Sequence, residues 1–198
     1  MGMRRTVALL RSTVTSIALL SALAACDGRE KKSMARPEAD PGALRAWEQI
    51  ATVLQHPRCL NCHQVDTPLQ GDDGHPHNPR VTRGPDNLGV AAMRCTNCHN
   101  QKGNNPSSGV PGAPHWSLAP LSMSWADLSS AALCESLKDP KRNGGRSAED
   151  LKKHMGEDKL VLWGWEPGAG REPVPVDHAS FLQLLTTWVA AGMPCPKE

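Results

Sequence analysis

The sequence has no tyrosine and one phenylalanine, and aromatic residues make up 4% of it. Hydrophobic residues reach 39%. A core built from this inventory is thin, because apolar burial is the main favourable term in folding. Long runs free of turn-forming residues are also scarce, since 17 glycines and 17 prolines punctuate 198 residues. Such a length suits one domain, or one domain and a tail. What is present instead is six tryptophans and seven cysteines. Two kinds of chain fit that composition. One is a loop-rich domain stapled by disulfides. The other is a domain in which a large apolar cofactor supplies buried surface.

A strong positive charge is also missing once the chain is divided. The formal net charge is +2, but Arg4, Arg5 and Arg11 sit in the first 25 residues, which contain no acid. Without them 22 − 3 = 19 basic residues face 20 acidic ones, so the remainder is near −1. This argues against a nucleic-acid partner.

The first 25 residues read as an address. Arg4 and Arg5 form a positive start, and a charge-free apolar stretch runs from Val14 to Ala25. At about a dozen residues it falls short of the roughly 20 needed to span a bilayer, and fits a secretory signal. It ends in Leu23-Ala24-Ala25-Cys26, which resembles the lipobox of bacterial lipoproteins. That resemblance implies removal of 1–25, lipidation of Cys26, and anchoring on the periplasmic side of the cell membrane. Asp27 favours the inner membrane. Residues 26–42 are charged, carry Pro and Gly and lack an apolar period, so they read as a flexible tether. The functional domain is then 43–198.

Two segments carry the chemistry. Cys59-Leu60-Asn61-Cys62-His63 and Cys95-Thr96-Asn97-Cys98-His99 both read C-x-x-C-H, the attachment signature of c-type haem. Two cysteines three apart can each form a thioether with one vinyl group of the same porphyrin. The following histidine is carried under the ring as an axial iron ligand. On this reading Cys59, Cys62, Cys95 and Cys98 hold two covalent haems, and His63 and His99 are the proximal ligands. Three other readings use the same residues: a four-cysteine zinc site, two disulfides, or a thioredoxin-type redox pair. The histidine closing both motifs and the missing βαβ pattern favour haem. The motifs start 95 − 59 = 36 residues apart, too close for tandem one-haem domains, so one module is expected to hold both haems. With Cys26 and the four motif cysteines assigned, Cys134 and Cys195 remain, an even pair expected to form a disulfide.

The far side of each iron takes a histidine, a methionine or nothing. The histidines outside the motifs are His56, His75, His77, His115, His154 and His178, and the methionines to weigh are Met93, Met123, Met155 and Met193. Two histidines per iron is the expectation, because spare histidines outnumber the places. His77, in a proline-stiffened loop, and His154 come first, then His56 and His115. His178 reads as a surface residue.

The rest is expected to be mainly α with long loops, a multihaem cytochrome c-like arrangement. Leu44, Trp47, Ile50 and Leu54 recur at helical spacing before the first motif. Residues 64–92 and 100–121 read as loops that wrap cofactor. Ser124 with Asp127 predicts a capped helix from Trp125 to about Leu137, Ser147 with Asp150 a second, and Asp177 a last helix through Trp188. Lys159–Trp163 is the best candidate strand. The tryptophans read as packing residues rather than electron relays.

The stretches HPRCLNCH, QGDDGHPH, RGPDNLGVAAMRCTNCH, VPGAPHW, LKDPKRNGGR, WGWEPGAGREP and AGMPCP, from about residue 44 to 196, resemble a family of bacterial exported cytochromes often labelled isoquinoline 1-oxidoreductase subunits. The resemblance implies an electron carrier rather than a catalyst. It would accept electrons from a periplasmic redox enzyme of the molybdenum hydroxylase kind and pass them to a membrane or soluble acceptor of the respiratory chain. Two other functions keep the haems: a dihaem peroxidase-like enzyme, whose chains are longer with motifs in separate domains, and a haem-based small-gas sensor, for which no output domain is present.

Overall fold

Asp40 caps the first helix by accepting a hydrogen bond from the Gly42 amide, 2.7 Å away, with Pro41 in the first helical turn where its missing N–H costs nothing. The structure, a computed structural model, describes residues 39–198. The leader expected over 1–25, Cys26 and Asp27 lie outside the described residues, as does all of the 26–42 tether except 39–42. The helix α1, Pro41–Leu54, therefore begins inside the stretch read as tether.

The architecture is mainly helical with long loops. After α1 come a one-turn helix α2 (Pro57–Leu60), a two-residue hairpin β1 (Leu69–Gln70) and β2 (His75–Pro76), then α3 (Ser130–Lys138), α4 (Ala148–Glu157), α5 (Lys159–Leu162) and α6 (His178–Ala190). The strands pair antiparallel, Leu69 opposite Pro76 and Gln70 opposite His75. No helix among the described residues is long and apolar enough to cross a membrane.

Helix α1 packs mainly on α6 and also on α3. Its buried face is Ala43, Ala46, Trp47, Ile50, Ala51, Val53 and Leu54, with Leu44 only half-buried. Trp47 and Trp188 lie 4.9 Å apart at 37°. Each indole N–H is satisfied, by Ser130 Oγ at 2.9 Å and the Pro194 carbonyl at 2.9 Å, as burial of so polar a handle requires. Phe181, Leu133, Leu137, Leu151 and Leu185 complete the centre. The helices thus have a core of their own, built from a few large side chains. The chain from 64 to 124 contributes nothing to that core.

Two predicted caps are present. Ser147 and Asp150 form a reciprocal capping box on α4, and Asp177 caps α6 by accepting from Ser180 N at 2.9 Å. Two expectations are corrected. The helix predicted from Trp125 starts at Ser130 under a Ser129 cap, because Asp127 sits at φ 61°, a left-handed conformation that no α-helix continues through. Lys159–Trp163 is not a strand. Asp158 accepts from Leu160 N at 2.9 Å and winds Lys159–Leu162 into α5.

Cys134 on α3 and Cys195 in the C-terminal tail are joined by a disulfide, with Cα atoms 5.6 Å apart. The four motif cysteines in the described residues are free thiols.

Candidate functional site

Both C-x-x-C-H motifs are wound into the same turn. In the first, the amides of Cys62 and His63 donate to the Cys59 carbonyl at 3.2 and 3.1 Å. In the second, Cys98 and His99 donate to Cys95 at 3.2 and 2.9 Å. Helical spacing places residues three apart on one face, so each pair of thiols is presented together. The first turn continues from α1 through α2. The second is a 3-10 turn, Cys95–Asn97, in a loop.

The two closing histidines share a chemical setting as well. His63 Nδ1 lies 2.7 Å from the Met123 carbonyl, and His99 Nδ1 lies 2.7 Å from the Pro111 carbonyl. A carbonyl oxygen only accepts, so both Nδ1 atoms carry the proton and both Nε2 atoms present a lone pair. An indole stacks on each ring: Trp125 on His63 at 3.4 Å and 11°, Trp116 on His99 at 4.6 Å and 12°. Burial pushes His63 down to about 4, more than the Met123 hydrogen bond opposes. Burial also lowers His99, against the Pro111 hydrogen bond. Both rings are therefore neutral near pH 7, the form that ligates a metal.

A cavity of about 530 Å³, of the size that holds small molecules and cofactors, opens over the second motif. Cys95, Cys98 and His99 line it, and so does Cys62 from the first motif, so the motifs are neighbours in one module. It is also lined by His77, Trp116, Trp163, Arg58 and Arg171. Arg58 ion-pairs with Asp72, donates to the Glu172 carbonyl at 2.9 Å, and lies 5.7 Å from the Trp163 ring centroid. Two buried polar atoms beside the first motif, Asn61 Oδ1 and Trp125 Nε1, have no hydrogen-bond partner among the described residues. Buried polar groups are rarely left so.

Among the described residues no three His, Cys, Asp or Glu side chains converge on a point where a metal ion would sit. Burial, with Cys62 adding, pushes the Cys59 thiol up to about 12; burial, with Cys95 adding, pushes Cys62 up to about 11. A porphyrin would use paired neutral thiols, a histidine with free Nε2, flat apolar walls and cationic groups for its carboxylates, and these are the groups present.

The spare histidines are sorted by their surroundings. His77, after β2, holds its place through its amide on the Pro68 carbonyl at 3.2 Å, and its Nδ1 is 2.7 Å from the Pro79 carbonyl. Its ring centroid is 6.0 Å from that of His99. His154, half-buried on α4, has Nδ1 3.3 Å from Asp158 Oδ2, and a charge on it would be felt at His63. His56 Nδ1 accepts from Arg58 N at 3.3 Å and caps α2, which puts the neutral ring's proton on Nε2. His115 is exposed and lines a second surface cleft with Asp86 and Thr96, which shares Ser117 and Leu118 with the cavity. His178 is half-buried rather than superficial, with Nε2 3.1 Å from the Met155 carbonyl and its ring against Trp165. Met155 lies in the helical core and Met193 packs on it, while Met123 is buried with its sulfur beside Arg146. Met93 lines the cavity.

Sequence reasoning missed Arg83. Buried in the loops, it donates through Nε to the Val65 carbonyl at 2.9 Å and through Nη1 to Asn87 at 2.6 Å, and reaches the carbonyls of Gln64 and Ala119. It ties the chain leaving the first motif to the chain approaching Met123. A lone arginine before Gly84-Pro85 gives no such signal. Comparison with protein-family models, curated proteins and solved structures finds no match.

Proposed function

We propose that the chain is a dihaem c-type cytochrome that carries electrons, in a multihaem cytochrome-like module. The observation that carries this reading is the repetition. Two C-x-x-C-H turns with the same backbone hydrogen bonds each end in a histidine locked by a carbonyl at Nδ1 and flanked by an indole. Carbonyl locks of this kind fix ring orientation and tautomer at metal sites. Cys59, Cys62 and His63 would hold one haem, and Cys95, Cys98 and His99 the other. Bound there, the irons supply one-electron redox couples. The protein's part is to keep both imidazoles neutral and oriented, to flank them with Trp125 and Trp116, and to offer the cavity-lining Arg58 and Arg171 as partners that would suit porphyrin carboxylates.

Anchored through a lipid on Cys26, the carrier would work on the periplasmic side of the membrane, at the inner membrane by virtue of Asp27. The family resemblance points to a periplasmic oxidoreductase, of the molybdenum hydroxylase kind, as donor. The respiratory chain would be the acceptor. A carrier needs no open iron site, whereas a peroxidase or a gas sensor does. In a potentiometric titration the holo-protein is expected to show two reversible one-electron steps, with a reduced form that binds no carbon monoxide. A stable carbon monoxide adduct accompanied by peroxide turnover would instead make it an enzyme.

A further inference from the structure

We infer that His77 is the second axial ligand of the iron held by His99, so that this haem is six-coordinate through two imidazoles; the inference rests on the dihaem reading. The reasoning starts from ring nitrogens. To ligate through Nε2, a neutral histidine must carry its proton on Nδ1 and give that proton to an acceptor. His77 does so with the Pro79 carbonyl, the same device used by His63 and His99. Its neighbour His75, on the same hairpin, does not: Nδ1 is 2.5 Å from Asp73 and Nε2 is 2.9 Å from Gln70 Nε2, so neither nitrogen is left.

Placement agrees. His77 and His99 both line the cavity that Cys95 and Cys98 enter, with ring centroids 6.0 Å apart. Two imidazoles on opposite sides of one metal, with bonds of about 2 Å and roughly another ångström from nitrogen to ring centre, have centroids about 6 Å apart. Their 58° interplanar angle is compatible, because both planes can contain the nitrogen–metal axis and twist freely about it. The supporting loop is held at three points. The His77 amide binds the Pro68 carbonyl at 3.2 Å, the Asn78 amide binds Gln70 Oε1 at 3.1 Å, and the β1–β2 pairing fixes the approach. His77 is thus placed by its backbone, not merely near by chance of a flexible tail.

The test uses the full chain matured with c-type haem. His77→Ala should keep both haems by intact mass, while reduced protein goes from binding no carbon monoxide to binding one per two haems. One of the two low-spin ferric signals should become high-spin and return when imidazole is added. His75→Ala should leave the spectra unchanged. If the His77→Ala chain loses haem altogether, His77→Met serves. It should hold two haems and raise the potential of one, as methionine ligation does. A His77→Ala or His77→Met chain with two haems and unaltered spectra and potentials overturns the assignment alone, as does a His75→Ala chain that binds carbon monoxide. Absence of haem from the unsubstituted chain overturns the reading beneath it.

Discussion

Replacing both Cys95 and Cys98 by alanine should cut covalent haem from two per chain to one and leave the helical fold standing. The expectation follows from where the second motif sits. Its turn, Cys95–Asn97, lies in the loops, and none of its residues enters the cluster formed by Trp47, Trp188, Phe181 and Leu185. The second histidine also has its own supports, a lock from Pro111 and a stacking partner in Trp116, whereas His63 uses Met123 and Trp125. Cys59→Ala with Cys62→Ala should also remove one haem, but at a further cost in stability. Cys59 and Leu60 pack on the helical core directly after α1. Intact mass and far-ultraviolet circular dichroism separate the outcomes. Loss of both haems from the Cys95/Cys98 variant would show that the motifs load as one unit, and retention of both would show that these cysteines are not the attachment points.

The second large effect lies far from the haem sites. Breaking the Cys134–Cys195 bond with the pair Cys134→Ala and Cys195→Ala should lower stability by about 4 kcal/mol, the chain-entropy expectation for a closed loop of this length, the two cysteines being 61 residues apart. For a chain of this size that is on the order of 10 °C in Tm. The tail keeps other tethers without the bond, from Trp188 Nε1 to the Pro194 carbonyl and from the Met193 amide to the Trp188 carbonyl, so it should loosen rather than detach. Haem content should not change, since neither cysteine belongs to a C-x-x-C-H motif. Thermal unfolding of the oxidised holo-protein against the double variant measures the difference. Equal melting temperatures would mean that the bond adds nothing to a core already fixed by Trp47 and Trp188.

Much of the architecture was legible because local signals were unopposed. The α1 stripe, the Ser147–Asp150 box and the Asp177 cap all rest on residues within one turn of each other, and all are present. The failures came where a tertiary demand outweighed the local one. Ser124 and Asp127 have the spacing of a capping box, but the Trp125 amide is taken by the His63 carbonyl at 2.9 Å and Asp127 turns left-handed, so the helix waits for Ser129. Val161 and its neighbours favour a strand, yet Asp158 nucleates a helix there.

The candidate site divides in the same way. The motif cysteines and histidines are legible because the chemistry is local. The Nδ1 locks are not, because Met123 lies 60 residues beyond His63 and a backbone carbonyl has no residue signature. The proline-stiffened loop already put His77 ahead of His75, but the nitrogen each ring presents, and the cap that His56 supplies, are not readable from spacing. The difference lies in which ring nitrogen meets an acceptor, and that emerges only once β1 and β2 pair and α2 takes its cap.

The measurement that bears most directly on the central claim is the intact mass of the domain after expression with a cytochrome c maturation system. The account predicts a chain heavier by two haems that survive acid-acetone extraction. A chain without haem, carrying zinc on its four motif cysteines instead, would contradict it.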